Sequence, residues 1–386
     1  MKRQLLGVAA ILLSISTYAQ DNPLWMRYCA ISPDGTTIAF TYKGDIYTVP
    51  STGGRASQIT TNPAHDTKPI WSPDGKKIAF ASDRMGSMDI FEVNKEGGIP
   101  KRLTTHSGNE TPVAYKDAGH ILFLANIMPT AEDAQFPSGQ FQQVYEVNTE
   151  GGRPILFSSM PMEDISINHT GNTLLYHDKK GYEDPWRKHH TSSITRDIWL
   201  CSLNGNRTFR KQTAFNGEDR TPVWASDDKS FYYLSEEKGS FNIFKRDIDG
   251  NTSKQITNHT KHPVRFLSAA SNGTLCYGYD GEIYTVKEGA IPQKVQISIV
   301  TDKNDKDLIR QIKRSGATEI SLSSDAKEIA FVLRGDVYVT STEYSTTKQI
   351  TNTPQQERDI HFSPDGRSIV YAAERNGLWQ IYQTSL

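Results

Sequence analysis

The chain is short of cysteine, short of net charge and, beyond its first twenty residues, without a long apolar run. Its three cysteines, Cys29, Cys201 and Cys276, are scattered through apolar strand patterns. An odd, dispersed set of this kind reads as buried thiols rather than a disulfide framework. Lys and Arg number 43 against 44 Asp and Glu, a formal charge of −1, so no basic face is implied and nucleic acid is not an expected partner. No second apolar stretch of about 18 residues occurs, so no membrane span is predicted once the leader is removed. Catalytic signatures are missing too. There is no Gly-x-Ser-x-Gly elbow, no His-Glu-x-x-His, no Walker loop and no Cys-x-x-Cys. These absences exclude an α/β-hydrolase within this chain and leave no catalytic residue, metal or cofactor to assign.

The first twenty residues have the layout of a secretory signal: Lys2 and Arg3, an apolar run from Leu5 to Ile15, then Thr17-Tyr18-Ala19 before Gln20. The run is too short and wrongly flanked for a membrane helix. The expectation is an exported protein, periplasmic or secreted, with residues 1–20 removed.

What the chain has in abundance is one repeated unit. Trp71-Ser-Pro-Asp-Gly75 turns the chain and Lys76-Lys-Ile-Ala-Phe80 leaves the turn. Pro presets the turn's second position, Asp bonds its own backbone and Gly accepts positive φ. Close copies run from Ile31 to Phe40 and from Phe362 to Tyr371, and worn ones end at Phe123, Tyr176, Tyr233, Tyr277 and Phe331. Successive aromatic anchors lie 40 to 57 residues apart, the period of propeller blades. After each turn come a short apolar strand, a Gly-bearing bend, an alternating strand such as Asp89-Ile-Phe-Glu-Val93, and an outer strand of the Gln58-Ile-Thr60 type. No helical period competes, so the fold class is all-β, with blades of four antiparallel strands. The recurring aromatics read as packing between blades, and the Ser and Asp of the turns as turn residues.

Three segments break the rhythm: 126–142, 179–196 and 301–315. The last is polar and separates six units from two. The predicted organisation is a signal peptide (1–20), a six-bladed β-propeller (21–300), a linker (301–315) and two blades of an incomplete second propeller (316–386), the eighth unit lacking its outer strand. The alternative is a single eight-bladed propeller. The 179–196 insertion is the one chemically rich stretch. There Arg187, His189, His190 and Arg196 offer cations for a carboxylate, such as a peptide C-terminus, and Trp186 offers stacking. The plain alternative is a solvated hairpin in which Glu183 and Asp184 pair with Arg187 and Lys188. Adjacent histidines on a strand point oppositely, which disfavours a metal there.

The repeat resembles the Pro-Asp, WD40-like propeller repeat of exported bacterial proteins. The stretch Glu183-Asp-Pro-Trp-Arg-Lys-His-His190, with Thr195-Arg-Asp-Ile-Trp199 and the linker leading to Ser315-Gly-Ala-Thr-Glu-Ile-Ser, is similar to secreted bacterial relatives of tricorn protease. That resemblance implies a six-bladed propeller ahead of a second propeller and a serine-peptidase region, oligomeric assembly, and a non-catalytic role in gating or channelling unfolded peptides. No counterpart of the family's catalytic serine or histidine is present here. A free-standing periplasmic propeller that binds protein partners, resembling the Tol-system translocation protein, is the second reading; an α/β domain precedes the repeats in that family, whereas Cys29-Ala-Ile31 already belongs to a blade.

Overall fold

A computed structural model describes residues 23–126, 141–182, 192–300 and 315–386, and among these every regular element is a β-strand. The chain forms two compact units, one ending at Val300 and the other starting at Thr301.

The first unit holds six four-stranded antiparallel sheets, each built from one stretch of chain, with the short strand Gly54–Arg55 set apart from the four of the first. Blade 1 comprises Arg27–Ile31, Thr37–Tyr42, Asp45–Pro50 and Ser57–Gln58. The inner strands of the next five blades are Asp66–Trp71, Glu110–Asp117, Met162–Ile167, Asp219–Trp224 and Arg265–Ala269. The Ser-Pro-Asp-Gly turns work as their composition predicts. The Ser72 hydroxyl donates to Asp74 at 2.7 Å and accepts the Lys77 amide at 2.9 Å, while Asp74 accepts the Lys76 amide at 3.1 Å. These residues hold the bend, and in the blade 1 turn the Pro33 and Asp34 carbonyls also accept from Ser271 N and Asn272 Nδ2 of blade 6.

The anchor aromatics are core. Phe40 and Tyr47, Phe80 and Phe91, Phe123 and Tyr145, and Tyr277 and Tyr284 stack in pairs across the second and third strands of their blades, with centroids 5.8 to 6.0 Å apart. Trp71 and Trp224 do more than fill space. Each indole N–H donates to a carbonyl of the preceding blade's inner strand, Ala30 at 2.8 Å and Ser166 at 3.0 Å. The Gln-Ile-Thr strands have a similar purpose. After the outer strand of blade 2, the Thr104 hydroxyl accepts the Ile90 amide at 2.9 Å and donates to Glu110, which opens the next blade. Thr60 and Thr257 accept the Ile46 and Ile243 amides in the same way but donate within their own blades, to Asp45 and Asn242.

Closure occurs after six blades. The inner strand of blade 1 packs on blade 6 in one core containing Cys29, Phe40, Cys276 and Ile283. The Met26 amide donates to Gly281 O at 3.0 Å, and Ile297–Ser298 pairs in parallel with Gly54–Arg55 of blade 1. The face of blade 1 that a further blade would need is therefore taken, which overturns the eight-bladed alternative.

Gly53 makes the seam testable. It sits at φ +91°, and a Cβ there would lie 2.6 Å from the Gln296 carbonyl. Gly53→Val is expected to cost about 2 kcal/mol or more and to speed proteolysis near residues 50–56 and 295–300. Unchanged denaturation and cleavage would mean that this pairing does not hold the ring.

The second unit contains a four-stranded sheet beginning at Ala317–Leu322 and a three-stranded sheet of Glu357–Phe362, Ser368–Arg375 and Leu378–Ser385. Val332, Val337 and Val339 of the first pack against Ile360, Ile369 and Tyr371 of the second. On the first sheet's inner strand, Ile320 and Leu322 are 77% and 57% exposed.

Candidate functional site

The inner strands of all six blades surround an axial chamber of about 630 Å³, within the range of ligand sites. Five of the strands carry the same irregularity, a β-bulge whose central residue adopts left-handed backbone: Tyr28, Lys68, Asp164, Thr221 and Phe266, with φ between 48° and 56°. All five line the chamber. Blade 3 also bulges, between Pro112 and Ala114, but with no residue at positive φ; the proline ring forbids it. A bulge re-aims a side chain and is common beside functional sites. Left-handed backbone costs a non-glycine residue on the order of 1 kcal/mol or more, most for a β-branched one such as Thr221. None of the five positions is glycine, so the side chains are retained against that cost.

The chamber has two chemical sides. Towards blades 1, 2 and 6, the rings of Tyr28 and Phe266 meet at 4.8 Å with a 54° tilt, and the Lys68 ammonium stands 5.7 Å from the Tyr28 ring. Towards blades 4 and 5 the lining is ionic. Glu163 accepts from Lys179 Nζ at 2.8 Å and from His177 Nε2 at 3.2 Å, with Arg196 Nε 3.5 Å away. The Thr221 amide donates to His177 Nδ1 at 3.3 Å, which leaves the ring proton on Nε2 to face Glu163. Thr221 Oγ1 donates to Asp164 at 2.6 Å. Burial works to raise the Glu163 carboxyl, but the hydrogen bond from His177 and the Lys179 ammonium outweigh it and hold the group far below the usual carboxylate range.

Of the five residues singled out in sequence, the structure places Arg196. Its side chain is almost wholly buried at the chamber wall, with Nη1 3.0 Å from Glu218 and Nε beside Glu163. An incoming carboxylate would compete with two resident ones. Trp186, Arg187, His189 and His190 lie outside the described residues. The bulge residues escaped the sequence reading. Each of the five sits three positions before its inner strand's last anchor, as Lys68 does before Trp71 and Thr221 before Trp224, but side chains as unlike as Lys, Asp and Phe hide the equivalence.

A family model described as the tricorn protease N-terminal β-propeller domain matches residues 23–290. The chain belongs to that family. Tricorn protease homolog 1 of Streptomyces coelicolor is 25% identical over 281 residues, covering 72% of this chain and 25% of that protein. The tricorn protease homolog of Saccharolobus solfataricus is 27% identical over 330 residues, covering 81% of this chain and 28% of its own. This tricorn-type chain thus spans about a quarter of the length of these curated relatives. The crystal structure of the tricorn protease superposes with a TM-score of 0.63 at 19% identity, over 94% of this chain and 35% of that one. That likeness carries the fold.

Proposed function

We propose that this tricorn-type propeller is a non-catalytic gate, admitting unfolded peptide to its axial chamber on the way to or from a serine-peptidase region. The carrying observation is the set of left-handed bulges that keep Tyr28, Lys68, Asp164, Thr221 and Phe266 aimed at the axis. An aromatic side faces apolar side chains of a peptide, and an ionic side faces its polar backbone and termini. Carboxylate capture by Arg187, His189, His190 and Arg196, with Trp186 stacking, belongs to this proposal, as do export and assembly into oligomers through further regions.

The double variant Lys68→Gly/Phe266→Ala tests the gate. It removes the cation and one aromatic wall, and the glycine relieves strain at φ 54°. Binding of a fluorescent, permanently unfolded polypeptide is expected to weaken at least about tenfold, the scale of one aromatic contact. Unchanged affinity in the folded variant would remove the chamber from the function. The closed ring of residues 23–300 also suits a free-standing partner-binding propeller. An immunoblot of source cells separates the two: a product much larger than this chain supports the peptidase reading, and one of its own size supports the free-standing one.

A further inference from the structure

The ring's seam holds two thiols that its closure brings together. Cys29 lies on the inner strand of blade 1 and Cys276 on the second strand of blade 6, 247 positions apart in sequence. Both are buried, at 4% and 0% exposure, in the single core shared by these blades. Ser268 ties them to one another. It pairs with Cys276 in the sheet, and its hydroxyl stands 3.4 Å from the carbonyls of both cysteines. The two thiols share that core, where the Cys29 thiol donates to the Phe266 carbonyl, on the neighbouring strand of blade 6, at 3.4 Å. Cys201 belongs to a different core, in blade 4.

The seam has reason to need such a bond. Each of the six blades takes its four strands from one stretch of chain, and across the seam Ile297–Ser298 adds a two-residue pairing with Gly54–Arg55 of blade 1. The first and sixth blades are therefore joined by packing, a two-residue parallel pairing and a few backbone hydrogen bonds.

We propose that Cys29 and Cys276 are an oxidative modification site, joined by a disulfide that locks the propeller ring at its seam. The oxidant is a disulfide-bearing thiol oxidant such as oxidised glutathione. One cysteine, as thiolate, attacks the oxidant's S–S bond and releases one thiol. The other then displaces the second from the mixed disulfide. The oxidant gains two electrons and two protons and leaves as two thiols, and one protein S–S bond forms. Buried thiols react slowly, so the reaction belongs to folding or to transient opening of the seam.

The test uses the whole chain, reduced and then incubated with oxidised glutathione while warmed towards its unfolding midpoint. Maleimide labelling in denaturant is expected to count one free thiol after oxidation and three before. A non-reducing digest should link the peptides containing residues 29 and 276. Closing so long a loop is expected to raise the unfolding midpoint by about 10 °C, reversibly with reductant. Cys201→Ser should keep the link and the shift, and Cys276→Ser should lose both. If Cys276→Ser does not fold, the wild-type thiol count and digest decide alone. Three free thiols after oxidation, a glutathione adduct without the link, or a link to Cys201 would overturn the proposal.

Discussion

Glu218→Ala is expected to remove about 3–5 kcal/mol of stability, the cost of stripping one partner from a buried ion cluster. Glu218 is 1% exposed, and Oε1 holds Arg196 Nη1 at 3.0 Å and Arg220 Nη1 at 3.4 Å. Those guanidiniums are themselves nearly buried, and that of Arg220 lies 4.1 Å over the Phe241 ring. With the carboxylate gone, Arg196 and Arg220 each lose a buried ionic partner in the wall of blades 4 and 5. Glu218→Gln keeps the shape and loses the charge, and is expected to recover only a minor part. Denaturant unfolding of the three proteins gives the comparison. If Glu218→Ala unfolds within about 1 kcal/mol of wild type, which is the worth of an exposed pair, the cluster is solvated and this reading of the chamber wall is wrong.

Stability is also expected to fall between about pH 5 and pH 8. Burial, the leading cause in both, raises the Glu110 carboxyl from 4.5 to about 7 and that of Asp219 from 3.8 to about 7. The hydrogen bond from Thr104 opposes the first shift, and those from Ser235 and Thr213 oppose the second. Both acids open inner strands, are essentially inaccessible, and keep one carboxylate oxygen without a hydrogen-bond partner. A group whose folded pKa is raised contributes stability that is complete below its unfolded value and lost as pH rises through the folded one. Each acid is thus worth about 3 kcal/mol between pH 4 and pH 8. Glu163 has the opposite sign. Its carboxyl is depressed in the fold, so its contribution is present above about pH 4.5 and lost on acidification. Together they place the optimum near pH 5. Glu110→Gln and Asp219→Asn are expected to flatten the alkaline limb and to exceed wild-type stability at pH 8. A wild-type midpoint that rises from pH 5 to pH 8, or variants with an unaltered limb, would contradict the burial argument.

The turns, the four-strand grammar and the aromatic anchors were legible because each is local. Ser72, Asp74 and Gly75 act within six residues of one another, and the Phe80–Phe91 pair follows from strand register. The Thr-to-acid bridges, such as Thr104 to Glu110, were visible as Gln-Ile-Thr echoes, though not as links to the next blade. The bulges were not legible. Whether Lys68 or Thr221 faces the axis depends on one extra residue in a strand whose alternation looks regular. Arg196 was read as a cation awaiting an anion, because Glu218 and Glu163 become its neighbours only through blade packing.

By itself, the sequence determined an all-β array of blades, the two groups of six and two units, and the absence of catalytic signatures, since repeat period and turn chemistry are properties of short segments. Tertiary structure alone decided that the ring closes at six, that five unlike side chains converge on one chamber, and that Cys29 meets Cys276. Each of these depends on which distant faces bury one another, and no local pattern records that.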